Sequence, residues 1–177
     1  MQPVSVVLAD DHPILREGLV AFFNARPELH IVGQCSDGLA AIQMVKTLAP
    51  DFALIDLHLP KLHGLEVIQK LREANSPSKL VILTISHDEK MVRWALRAGA
   101  DGYLVKDGPA SQLFDAIRDI QSGGVYISPL LRRDLLQSET DDGPDGTPSE
   151  GCAGVTAPML PRRPRRPPMA FKLPLPE

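Results

Sequence analysis

Four short hydrophobic runs in this chain each end in a residue suited to phosphate or metal chemistry. Residues 4–9 stop at Asp10 and Asp11, and residues 52–55 stop at Asp56. Residues 80–83 stop at Thr84, and residues 103–105 stop at Lys106. If the runs are neighbouring parallel strands, their carboxyl ends share one edge, where open α/β sheets bind ligands. Three carboxylates, a hydroxyl and an ammonium would then meet in one crevice.

Carboxylates packed this closely repel one another and hold protons unless a cation neutralises them. Magnesium suits that task, because it takes oxygen ligands and keeps several of its waters. One carboxylate of the set can attack a phosphoryl group as a nucleophile and form an acyl phosphate. A lysine and a hydroxyl placed opposite would stabilise charge on the equatorial oxygens of the transferring group. A lone Lys106 would read as a surface lysine; its place beside the other strand ends gives it a role.

The intervening segments carry the pattern that would position such a set. Pro13 suits the first turn of a helix, and Ile14, Leu15, Leu19, Phe22 and Phe23 follow helical spacing. Residues 29–34 read as a second strand. Asp37 can cap a helix that runs to Leu48 and ends before Pro50. Further helices are expected over 64–74, 88–98 and 111–122, with Leu65, Ile68 and Leu71 in phase on the first of these. Strands at 52–55, 80–84 and 102–105 complete five βα units. Strands buried on both faces call for a parallel sheet between helical layers, a doubly wound α/β fold.

At these positions the chain resembles the receiver domain of bacterial two-component response regulators. The stretches that carry the resemblance are Val-Leu-Ala-Asp-Asp-His-Pro (7–13), Leu-Ile-Asp-Leu-His-Leu-Pro (54–60), Gly64, Leu-Thr (83–84) and Gly-Tyr-Leu-Val-Lys-Asp (102–107). The resemblance covers roughly residues 1–125. It implies a flavodoxin-like (βα)5 fold with a five-stranded sheet in the order 2-1-3-4-5. It also implies Asp56 as phosphoacceptor, Asp10 and Asp11 as magnesium ligands with Asp56, and the backbone carbonyl of His58 as a further ligand. Thr84 and Lys106 would contact the phosphoryl group, and Thr84 and Tyr103 would move inward on activation. Asp-Asp-His-Pro and Gly-Gly-Val-Tyr-Ile-Ser-Pro (123–129) look most like the LuxR-type (NarL/FixJ) subfamily, whose members usually carry a C-terminal helix-turn-helix.

Beyond the receiver, residues 126–137 are expected to form a linker helix, with Leu130, Leu131, Leu135 and Leu136 on its apolar face. Residues 138–150 then carry five acids and no base, and Pro-Arg-Arg-Pro-Arg-Arg-Pro-Pro follows at 161–168. Such a segment, 138–177, buries too little apolar surface to offset ordering and reads as a disordered tail. No four-helix periodicity follows residue 137, so the helix-turn-helix is expected to be lacking. Specific DNA binding by the chain as given is not expected.

The 177 residues carry a net charge of −3, which gives no global basic field for nucleic acid. Two cysteines form neither a disulfide framework nor a metal motif and fit a reducing compartment. No signal peptide or membrane-length apolar run is evident, so a soluble cytoplasmic protein is expected. His12, His58, His63 and His87 cluster near the crevice, but their spacing matches no zinc pattern and they read as solvated loop residues. Asp51 and Asp101 likewise read as solvated. The expected partners are a sensor histidine kinase and a second copy or a full-length relative as dimer partner, and no membrane. The chain is expected to be no enzyme beyond promoting its own phosphorylation and dephosphorylation. The alternative is a magnesium-dependent aspartyl-nucleophile phosphatase of the haloacid-dehalogenase kind, which wants Asp-x-Asp at its first strand; here Asp56 is followed by Leu57 and His58. A flavodoxin-like FMN carrier would need a glycine- and hydroxyl-rich phosphate loop, where this chain has Asp10-Asp11-His12-Pro13.

Overall fold

The computed structural model describes residues 3–132. Strands and helices alternate in the order β1 (Val4–Ala9), α1 (Pro13–Asn24), β2 (Leu29–Cys35), α2 (Gly38–Leu48), β3 (Phe52–Asp56), α3 (Gly64–Glu73), β4 (Lys79–Thr84), α4 (Glu89–Ala98), β5 (Gly102–Val105), α5 (Ser111–Gln121) and β6 (Tyr126–Ile127). All neighbouring strands are parallel, and the sheet order is β2-β1-β3-β4-β5-β6. The expected five strands and their order are present, but the sheet has a sixth. Tyr126 and Ile127 pair with Gly102 and Tyr103 on the outer edge of β5, where the expected linker helix would have begun. A two-residue strand has no periodicity to betray it. Helix starts instead at Pro129 and continues to residue 132. The remainder of the expected linker and the tail at 138–177 lie outside the described residues.

Side-chain alternation along the strands divides the core into two layers. Val7, Ala9, Ala53, Ile55, Leu80, Ile82, Tyr103 and Val105 face α2, α3 and α4, where Val45, Ile68, Leu71 and Val92 meet them. Val6, Leu8, Phe52, Leu54, Val81, Leu83 and Leu104 face α1 and α5, against Phe23, Leu113, Ile117 and Ile120. Every residue of β3 is buried, as a central strand covered on both faces requires. β2 lies at the sheet edge, and its exposed positions alternate with covered ones.

Helix ends follow local chemistry. Asp37 accepts a hydrogen bond from Ala40 N (2.9 Å) and starts α2, and Asp88 accepts from Lys90 N (2.8 Å) to start α4. α3 begins with a reciprocal cap: His63 Nδ1 accepts from Leu65 N, while Glu66 Oε2 accepts from His63 N. α3 also begins against the end of β3. A Cβ at Gly64 would lie 2.3 Å from the Asp56 carbonyl oxygen, so only glycine lets this helix start so close to the crevice.

The amino ends of β4 and β5 are held by one side chain. Arg72, on α3, donates Nε to Gly99 O (2.9 Å) and Nη1 to Ser76 O (3.1 Å) and Ser78 O (2.9 Å). Its Nη2 pairs with Asp101, whose Oδ2 also accepts from Leu80 N. Asp101 is therefore a structural hub and not the solvated loop acid expected from sequence. Arg72→Met removes the guanidinium donors from these carbonyls and the cation beside the Asp101 carboxylate, so it should lower the unfolding free energy by about 2–4 kcal/mol. Urea denaturation checks this, and a loss under about 0.5 kcal/mol would show that the cluster is ornamental to stability.

Candidate functional site

The period of two along each strand decides which terminal residues face one another. Asp10 and Asp56 are in phase with the α1/α5 side of β1 and β3, and Lys106 is in phase with the same side of β5. Thr84 and Tyr103 are in phase with Ile82 and Val105, on the α4 side. The crevice accordingly has two groups of residues with different partners.

The first group is a buried charge cluster. Lys106 Nζ lies 2.6 Å from Asp56 Oδ2 and 2.7 Å from Asp10 Oδ2. Asp10 is 0% exposed and Asp56 3%. The contact to Asp56 is a directed hydrogen bond. The approach to Asp10 Oδ2 is close but poorly aligned, so that oxygen has a positive neighbour and no directed donor. The other oxygens are held by backbone: Asp10 Oδ1 accepts from His12 N (2.8 Å) and Asp56 Oδ1 from His58 N (3.2 Å). Arg16, one turn into α1, donates Nη1 to Asp10 O (2.8 Å) and ties that helix to the end of β1. Asp11 is at the solvent edge, its side chain 36% exposed.

His12 joins this cluster. Its Nδ1 lies 2.8 Å from Asp11 Oδ1, 3.4 Å from Asp10 Oδ1 and 3.8 Å from Asp56 Oδ2. Asp10, Asp11, His12 and Asp56 each offer one ligand atom, all within 4.8 Å of one another, and together could hold a metal ion. A buried carboxylate oxygen with no directed donor is what such a site requires, so the residues fit a cation. The His12 side chain is 65% exposed, as expected of a solvated loop histidine, yet it is set apart from the other crevice histidines. What distinguishes it is position: it directly follows the acidic pair and directly precedes α1. His58 is exposed and lies edge-on to the His63 ring at 5.5 Å.

The second group lies on the α4 side of the sheet. Thr84 is fully buried, and its Oγ1 accepts from Ser86 N (3.0 Å). Tyr103 is also fully buried, with its hydroxyl 3.5 Å from Ser86 O. The ring expected to move inward is already inside. Both side chains thus hold the loop after β4. A further bridge, unforeseen from sequence, spans the crevice mouth: His87 Nε2 lies 2.9 Å from Asp107 Oδ2, beside Lys106.

Residues 6–118 match the response regulator receiver domain family. Over 137 residues the chain is 37% identical to the nitrate/nitrite response regulator protein NarL of Escherichia coli K12, covering 77% of this chain and 63% of that protein. It is 31% identical to the transcriptional regulatory protein LiaR of Bacillus subtilis over 147 residues, covering 83% of this chain and 70% of that one. Among solved structures, the signal receiver domain of NarL from Mycobacterium tuberculosis superposes with a TM-score of 0.67 at 32% identity, over 70% of this chain and 99% of that one. The chain spans about three fifths of the length of the NarL relative.

Burial, with the Asp88 charge adding to it, pushes the Tyr103 phenol from its usual 10 up to about 12. A group raised in the fold stabilises fully below its unfolded value and loses that contribution as pH rises through the folded value. Stability should therefore fall between pH 10 and about 12, less steeply in Tyr103→Phe. Denaturant midpoints across that range check this; parallel curves for the two proteins would place the phenol in solvent.

Proposed function

This chain belongs to the response regulator receiver domain family, and from that premise we propose that Asp56 is its phosphoacceptor, charged by a sensor histidine kinase in a Mg2+-dependent reaction. The observation that carries the reading is one ammonium, Lys106, held against both buried carboxylates. A carboxylate oxygen of Asp56 forms the new P–O bond as the P–N bond of the donor phosphohistidine breaks. Asp10, Asp11, Asp56 and the His58 carbonyl would hold the Mg2+. The ion supplies neutralisation of the carboxylates and of the incoming phosphoryl oxygens. Lys106 keeps its charge on the acceptor side and stabilises the transferring group.

Thr84 is the switch residue in this reading. Its hydroxyl leaves Ser86 N and turns to the phosphoryl group, and the loop it releases is the one the Tyr103 hydroxyl touches. The change would spread to the face formed by α4, β5 and α5. The chain is a signalling domain; we propose no catalysis beyond its own phosphorylation and dephosphorylation. The haloacid-dehalogenase alternative finds no support, since the family match runs through the whole crevice. A second copy or a full-length relative is the proposed output partner, and the cytoplasm the proposed location. No described helix is long and apolar enough to cross a membrane. The described residues contain no helix-turn-helix, and sequence-specific DNA contact is not assigned to them.

With Mg2+ and acetyl phosphate, intact-mass measurement should find one phosphoryl group on the wild type and none on Asp56→Asn. Equal labelling of the variant would move the acceptor elsewhere. Chelation should also abolish labelling. In this reading the exposed His58 would lie beside the acyl phosphate. His58→Ala should therefore change the dephosphorylation rate more than the phosphorylation rate, as a stopped labelling time course would show. Matching changes in both would assign His58 to metal binding or folding.

A further inference from the structure

Two connecting segments meet across the crevice mouth. The loop after β4 carries His87, and the turn after β5 carries Asp107, one residue past Lys106. We propose that the His87–Asp107 pair is a latch: it holds the loop after β4 in its resting place and so restrains the turn of Thr84 that accompanies phosphorylation. The inference rests on the reading of Asp56 as phosphoacceptor, and it adds to that reaction two positioning residues that act through Thr84.

Three observations carry it. The first is the contact itself. His87 Nε2 and Asp107 Oδ2 are 2.9 Å apart, and because a carboxylate only accepts, the imidazole N–H donates. The second is the company His87 keeps. Ser86 N donates to Thr84 Oγ1 (3.0 Å), Asp88 N donates to Ser86 Oγ (3.3 Å), and the Tyr103 hydroxyl lies 3.5 Å from Ser86 O. His87 therefore sits on the loop whose backbone the Thr84 hydroxyl holds. The third is the anchor. Lys106 N donates to Thr84 O (2.7 Å) and Gly108 N to Val105 O (3.3 Å), so main-chain bonds fasten the turn that presents Asp107 to the ends of β4 and β5. The carboxylate stands on the fastened segment, and the imidazole on the loop that Thr84 must let go.

The geometry sets the direction of the effect. When the Thr84 hydroxyl turns away, Ser86 N loses its acceptor and residues 85–87 shift. A hydrogen bond of 2.9 Å is lost beyond about 3.5 Å, so a displacement of roughly 0.6 Å breaks the bridge. A contact made in one state and lost in the other biases the equilibrium toward the first. The His87 and Asp107 side chains are 46% and 58% exposed, so the bias is the small one of a surface pair, about twofold to fivefold in population. A latch of that strength tunes the rate of switching and leaves the fold intact.

The test uses the full 177-residue chain at constant pH, as wild type, His87→Ala, Asp107→Ala and the double variant. One readout is hydrogen exchange of the Ser86 amide, followed by NMR with no phosphodonor present. The other is the rate of mass labelling by acetyl phosphate with Mg2+. Each single variant should raise both rates by about twofold to fivefold. The double variant should go no further than the faster single, because one bridge is broken only once. Removing the Asp107 charge also lessens repulsion of the donor, and that effect alone would speed labelling without changing Ser86 exchange. Unchanged Ser86 exchange in both single variants would overturn the latch. So would exchange effects that multiply in the double variant, or slower labelling of His87→Ala. Faster exchange that does not multiply, in a chain whose Asp56 takes no phosphoryl group, would bring down the acceptor assignment and leave the latch standing.

Discussion

Two carboxylates buried side by side, Asp10 and Asp56, are the constraint around which this domain is arranged. Buried like charges are costly unless a cation meets them. Here a single ammonium meets both, 2.6 and 2.7 Å away. One lysine balances only one of two negative charges, so the cluster remains short of positive charge and receptive to a divalent ion. Under the proposed function, a divalent ion would make up that shortfall before a phosphoryl group approaches.

The backbone places these residues by rules that have little to do with phosphate. Parallel strands in adjacent register put their carboxyl ends on one edge, and alternation sends Asp10, Asp56 and Lys106 to one side. Thr84 and Tyr103 fall on the other side by the same count, so the charge cluster and the Thr84–Tyr103 group occupy opposite faces of the sheet. Contact between them passes through the loop after β4. Gly64 sharpens the arrangement, because its missing side chain lets α3 begin against the Asp56 carbonyl. At the far end of the sheet, Arg72 ties α3 to the starts of β4 and β5.

Most of this was legible in the residues. Hydrophobic runs of three to six residues ending in Asp, Thr or Lys mark both the strands and the crevice, as strands buried on both faces do. Helix starts at Asp37 and Asp88 were legible for the same local reason, a carboxylate placed to accept backbone donors. What escaped were contacts between segments distant in sequence. β6 is two residues that exist as strand only because β5 offers an edge. Asp101 looked like any loop acid until Arg72 arrived from α3, 29 residues earlier. The His87–Asp107 bridge joins two loops, and no spacing rule links them. Tyr103 was placed in its strand, but its burial is a matter of packing that sequence does not encode locally.

The central claim is that Lys106 and the buried carboxylates act as one charge-coupled unit. A double-mutant cycle of Asp10→Asn and Lys106→Met, read by urea unfolding in the presence of chelator, measures that coupling without reference to phosphate. If the account holds, the two changes together cost less than the sum of each alone, with a coupling of about 1–3 kcal/mol. Effects that add within about 0.5 kcal/mol would mean that lysine and carboxylate are neighbours without being partners, and the crevice would need another explanation.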